Sequence, residues 1–305
     1  MSLIIEKKQI KNWLKELKKE FQVIDTRNSI LPAKQYFLPP KEDIFIFNKK
    51  TKRLTNSSYQ RKTLIFGLDL NDLEAMTQLD EIMKNPQPDF FYWQKREKSV
   101  LVGLTEESFG PAPGGDIIFK KINPYQYQAM ILTEKGEEII NSPFFKKNKT
   151  RANEDFKDKL GSFRKILLDS EVLADAVAWS IGHKIWDELA KKCLSCGICT
   201  YVCPLCYCFS VEDKVNLDNA KCVRCRQWDA CTLPHFARIA GGHNFHKTIK
   251  ERYYNWFYHK FVRAYREYGR SQCVACGRCQ RYCPAGIDIE KVLSEILEDY
   301  KKVKK

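Results

Sequence analysis

The stretch CLSCGICTYVCP at residues 193–204 recurs, after a long interval, as CVACGRCQRYCP at residues 273–284. Both read C-x2-C-x2-C-x3-C-P, the ferredoxin-type spacing for 4Fe-4S clusters. Three thiolates, each three positions on from the last, can wrap one face of a cubane while the intervening backbone N–H groups turn toward its sulfides; the fourth ligand must arrive from elsewhere. Where two such strings occur together, the fourth Cys of each serves the other cluster. The expected sets are therefore Cys193, Cys196, Cys199 and Cys283 for one cluster, and Cys273, Cys276, Cys279 and Cys203 for its twin. The chemistry implied is electron transfer.

The remaining cysteines fall between the strings: Cys206, Cys208, Cys222, Cys225 and Cys231, in the order C-x-C, C-x2-C and a lone Cys. Four of these five suffice for a further metal centre, a third 4Fe-4S cluster or zinc, since both accept tetrahedral thiolates. Spacing does not choose between them. Cys206, Cys208 and Cys231 are the firmer members of the set.

All 13 cysteines lie after residue 192, in metal-like spacing rather than the even scatter of a small disulfide-bonded secreted chain. The start, with Glu6, Lys7, Lys8 and Lys11 interrupting its apolar residues, lacks a signal-peptide layout, and no apolar run is long enough to span a bilayer. A cytoplasmic location is the expectation. The net charge of +14 comes from basic residues spread along the chain and mixed with acids. This is the pattern of a lysine-rich solvated surface rather than a nucleic-acid footprint. Lys192, Arg278 and Arg281 stand close enough to the strings in sequence to offset the negative charge of all-thiolate clusters.

At 305 residues the chain is long enough for two domains. Residues 1–150 read as an α/β domain. An amphipathic stripe (Ile10, Trp13, Leu14, Leu17, Phe21) is followed by short apolar runs at Ile44–Phe47, Thr63–Gly67, Val100–Leu104 and Asp116–Phe119, with a helix over Asp72–Met83. The polar stretch Lys146–Asp158 reads as a linker. Residues 151–305 read as a mostly helical ferredoxin domain: helices lead into Cys193, another spans Arg252–Tyr268 with aromatics along one side, and Asp288 caps a last helix. The interval between strings is too long for a compact bacterial ferredoxin and favours the helical dicluster type. The five histidines are scattered and read as packing or surface residues, and no G-x-G-x-x-G, P-loop or nucleophile elbow appears.

Three segments carry a family resemblance: WDELAKKCLSCGICTYVCPLCYCFSVED at 186–213, RQWDACTLPHFARIAGGHNFHKT at 226–248 and CVACGRCQRYCPAGIDI at 273–289. With looser likeness at 29–47, at GLDLNDLEAMTQLD (67–80) and at the GGD of 114–116, the chain resembles the iron-sulfur beta subunit of cytoplasmic sulfhydrogenases. These are also called sulfur reductase or group 3 nickel-iron hydrogenase beta subunits, and the chain is similar as well to an iron-sulfur component of anaerobic sulfite reductase. The resemblance implies an α+β electron-transfer protein working between a flavin subunit that uses NAD(P)H and a catalytic partner handling hydrogen, sulfur or sulfite. Relatives carry a Cys where this chain has Asn71, and a Cys-containing segment before the match to Gly110-Pro111. No cysteine precedes residue 193 here, so Cys222 and Cys225 are expected to compensate. Two other readings stay open: an iron-sulfur subunit of a heterodisulfide reductase-like, flavin-linked complex, and, distantly, a zinc-bearing nucleic-acid-binding protein.

Overall fold

Thr63–Leu68, Ser99–Thr105 and Ile117–Asn123 are strands whose first halves are almost wholly apolar, the mark of parallel strands covered on both faces. In a computed structural model, which describes residues 2–56, 59, 61–107, 113–140, 142–148, 161–216 and 220–304, they form the centre of a seven-stranded sheet. Gln22–Asp25 adds in parallel at one side. Gln126–Ile131, Ser2–Glu6 and Phe145–Asn148 extend the other side antiparallel. Leu64, Phe66, Val102, Ile117 and Phe119 are buried beneath the helix Lys7–Leu17, whose fully buried Trp13 donates its indole N–H to Ile139 O at 3.1 Å. The helix expected over Asp72–Met83 runs Leu70–Ile82, started by Asp69, which accepts the Asp72 N–H at 2.7 Å. The GGD motif is a structural clamp: Gly114 and Gly115 take φ of 111° and 90°, and the buried Asp116 accepts from Leu101 N at 2.7 Å and Thr133 Oγ1 at 2.6 Å.

The chain divides into two compact units, Met1–Leu38 with Ser58–Lys159 and Pro39–Ser57 with Leu160–Lys305. Residues 39–57, which the apolar pattern assigns to the N-terminal half, thus belong with the cysteine-bearing part. Their strands Lys41–Asn48 and Arg53–Asn56 join Phe209–Val215 and Lys221–Trp228 in a four-stranded antiparallel sheet. The register pairs Phe47 with Cys222 and Glu42 with Arg226, and a hydrogen-bonded ion pair between those last two side chains is almost completely buried. A buried pair of this kind stabilises little but is costly to break, so it selects one register. Such long-range pairing leaves no local periodicity to read. Of the expected linker, residues 146–148 are strand, whereas residues 149–158, together with the expected boundary at 150–151 and the matched Gly110-Pro111, lie outside the described residues.

Helices otherwise build the second unit. Ser162–Leu168, Ser170–Trp179 and Ile185–Lys192 lead into the first string, and Ile289–Val303 follows the second. As expected, Asp288 caps that last helix, accepting from Glu290 N and Lys291 N. Between the strings, Ile249–Phe257 starts with a capping box between Thr248 and Glu251, continues through a π-helical turn at Tyr258–Arg263, and ends as Ala264–Tyr268. Leu173, Val177, Trp186, Trp256, Phe257, Phe261, Leu293 and Ile296 form the core. Trp186 meets Phe257 edge-to-face at 5.0 Å.

Candidate iron-sulfur centres

The helix Ile185–Lys192 stops because the next residue, Cys193, turns extended (ψ 125°) while its N–H still reaches Leu189 O at 2.8 Å. From there the two strings fold alike. Ser195 and Ala275, the third residue of each, sit at φ 50° and 55°; Gly197 and Gly277, the fifth, sit at 77° and 69°. Left-handed backbone at a non-glycine residue is uncommon and costs about 1–2 kcal/mol, so its repetition at matching positions marks a functional constraint. The constraint is visible in the hydrogen bonds: Ser195 N–H points at Cys193 Sγ, 3.4 Å away, and Ala275 N–H donates equivalently to the Cys273 sulfur. At Gly197 a Cβ would also meet Ala230 Cβ at 3.0 Å, so conformation and space both require glycine. Single helical turns, Ile198–Tyr201 and Arg278–Arg281, then present Cys199 and Cys279.

The fold brings the fourth cysteines across. Cys283, from the second string, acts electrostatically on Cys193 and Cys199, and lines one recess with Cys193, Cys196 and Cys199. Cys203, from the first string, acts on Cys273 and Cys279, in the company of Cys276. Tyr253, Trp256, Ile287 and Ile289 wall the first recess against water. Burial pushes the Cys199 thiol up to about 12, with neighbouring cysteines adding to the rise, and pushes Cys273 up to about 12 despite the opposing pull of Lys260. Burial likewise raises Cys193 and Cys279. Thiols crowded into a dry site repel one another as thiolates, and a bound polycationic centre removes that penalty by displacing their protons. Each iron of a cubane takes one protein thiolate, so the donors suit the group.

Two buried cations serve these sites, and neither is among the flanking Lys192, Arg278 and Arg281 singled out from the sequence. Arg252 lies beside Cys193, its guanidinium bound to Thr232 O, His246 O, Lys247 O and Ser195 Oγ. Lys260 directs its ammonium at Cys203 Sγ (3.3 Å), Cys206 Sγ (3.9 Å) and Gln272 O (2.8 Å). Residues 252, 256 and 260 follow at i, i+4, i+8, so charges interrupting an aromatic face were the available signal.

The same helix holds His259, whose ring lies 6.0 Å from Tyr207. Burial, then the charges of Lys260 and Arg263, depress its pKa from 6.5 to about 4. The unfolded chain therefore binds the extra proton first. The stability His259 contributes is complete above pH 6.5 and is lost as pH falls toward 4, amounting to about 2–3 kcal/mol. Denaturant melts of native and His259→Gln protein at pH 7 and pH 5 should show a smaller acid loss in the variant.

Three of the five inter-string cysteines form another group. Cys231 hydrogen-bonds the Cys208 sulfur and feels Cys206; this contact first, then burial, raises its pKa. Cys222 and Cys225 do not join them. Both sit on the strand Lys221–Trp228, three positions apart, so their side chains leave opposite faces of the sheet. Cys225 is paired with Asp43 and Glu212, roughly 13 Å along the strand from Asp229, whose N–H binds Cys208 O. A C-x2-C in extended backbone cannot chelate as one in a turn does. Among the described residues, no three Cys, His, Asp or Glu side chains could hold a single metal ion.

Residues 192–287 match the 4Fe-4S dicluster domain family, and the match encloses both strings and the inter-string helix. The chain is also 32% identical over 291 residues, 90% of its own length and 85% of the relative's, to sulfhydrogenase 2 subunit beta of Pyrococcus furiosus. The chain belongs to the sulfhydrogenase beta-subunit family. It is accordingly an iron-sulfur, electron-transfer subunit of the hydrogenase type, carrying a 4Fe-4S dicluster domain. No solved structure matches the chain. In this beta subunit, no described helix is long and apolar enough to cross a membrane.

Proposed function

We propose that this chain is the electron relay of a multi-subunit, cytoplasmic oxidoreductase, standing between a flavin subunit that uses NAD(P)H and a catalytic hydrogenase or sulfur/sulfite-reducing partner. The observation that carries the reading is the reciprocal placement of Cys203 and Cys283, each beside the thiols of the other string. Cys193, Cys196, Cys199 and Cys283 hold the first centre, and Cys273, Cys276, Cys279 and Cys203 the second. Cys206, Cys208 and Cys231 hold a third, a 4Fe-4S cluster whose remaining ligand is neither Cys222 nor Cys225. A 4Fe-4S cluster accepts and returns single electrons, at a potential set by its surroundings. The residues here supply those surroundings: Ser195 and Ala275 donate backbone N–H groups to cysteine sulfur, Arg252 and Lys260 supply positive charge, and Tyr253 and Trp256 exclude water. Bond chemistry then belongs to the neighbouring subunits.

The test is reconstitution. The loaded chain alone should stay oxidised with NAD(P)H and become reduced once the co-purifying flavin subunit is added. Hydrogen should reduce it only with the hydrogenase-type partner present. Direct reduction of the isolated chain by NAD(P)H, or no response with either partner, would contradict the proposal.

A further inference from the structure

Lys260 is 2% exposed, and its ammonium lies in a pocket built for it. The three donors of an ammonium meet three acceptors: Gln272 O, Cys203 Sγ and Cys206 Sγ. Gln272 secures the arrangement from both sides, its N–H donating to Lys260 O at 2.8 Å and its side-chain amide to Leu205 O at 2.5 Å. It therefore ties together the residue before Cys273, the residue before Cys206 and Lys260 itself. The Trp256 ring, 5.6 Å from Nζ, supplies a further favourable face. The π-helical turn Tyr258–Arg263 sets Lys260 off ordinary helical spacing, a distortion commonly found at functional sites. Arg252 differs. Its guanidinium is engaged by backbone carbonyls and one hydroxyl, so less of its charge is directed at sulfur.

We propose that Lys260 is a positioning and tuning residue: a fixed cation between the second-string centre and the Cys206/Cys208/Cys231 centre, making the former the more easily reduced of the two ferredoxin-type centres. This rests on the assignment of Cys203 to the second centre. The physical basis is that reduction adds a negative charge to a buried site. A cation hydrogen-bonded to a ligating sulfur favours that state, and low dielectric keeps the effect strong. Lys260 also contacts Cys206, so an electron on either centre draws on the same positive charge.

The experiment is a redox titration of the second-centre paramagnetic signal in native, Lys260→Met and Lys260→Arg protein, with iron content measured on each. At a given potential, the reduced-to-oxidised ratio should fall at least tenfold in Lys260→Met, equivalent to about 59 mV for a one-electron couple. Lys260→Arg should keep it within about threefold. Native iron content with an unchanged ratio in Lys260→Met overturns the inference while leaving the cluster assignment standing. Absence of a second-string signal from the native protein overturns the assignment instead. Should Lys260→Met fail to retain the centre, native protein labelled with 15N at the lysine ε-nitrogen decides. A nitrogen hyperfine coupling on the reduced second centre, absent from labelled Lys260→Arg, supports the contact, and its absence from native protein overturns it.

Discussion

Replacing Cys203 by serine is expected to remove the second-string centre, about four iron atoms per chain, and to leave the first largely intact. Sequence proximity alone points the other way, since Cys203 follows Cys199 by one turn. Pro204 carries the chain away from the first recess, and Cys203 is buried where Lys260 and the thiols of the second string converge. Serine offers a poorer ligand in a site held by buried side chains that cannot rearrange cheaply. Cys283→Ser should give the reverse, keeping the second centre and losing the first, because Cys283 lines the recess of Cys193, Cys196 and Cys199. Iron content and paramagnetic resonance on the two variants check both. Loss of the centre belonging to the mutated residue's own string would reject the crossing.

The second large effect separates the inter-string cysteines. Cys231→Ser should lower iron by about four atoms per chain relative to the native protein, as its thiol is buried against Cys208. Cys222→Ser, on a strand face remote from that group, should leave iron unchanged, and Cys225→Ser likewise. The fully buried Cys225 should show a modest stability cost from its packing, on the order of 1 kcal/mol. Equal iron loss in all three variants would restore the pair to the centre.

Much of this was legible because metal ligation is local. The C-x2-C-x2-C-x3-C-P spacing forces the turns seen at Ser195, Gly197, Ala275 and Gly277, so both strings and the need for a visiting fourth cysteine could be read directly. Asp288 as a cap and the buried apolar runs at 64–66, 101–102 and 117–119 are likewise local patterns. What escaped depends on partners distant in sequence. The hairpin 41–56 looked like part of the N-terminal sheet because its pairing with 221–228 is set by Glu42, Arg226 and strand register. The same pairing extends the backbone through Cys222 and Cys225 and pulls a seemingly good C-x2-C apart. Lys260 and Arg252 were hidden among aromatics, because one face of a helix reads as core until the sulfur opposite it is located.

Whether this protein holds at least two 4Fe-4S clusters on crossed cysteine sets is tested most directly by metal analysis of anaerobically purified material. The expected result is brown protein with about eight iron atoms and a matching amount of sulfide per chain, or about twelve if the third centre is also filled. It should bleach with dithionite and give reduced-cluster resonance signals. Colourless protein containing zinc and no acid-labile sulfide would contradict the two-cluster reading.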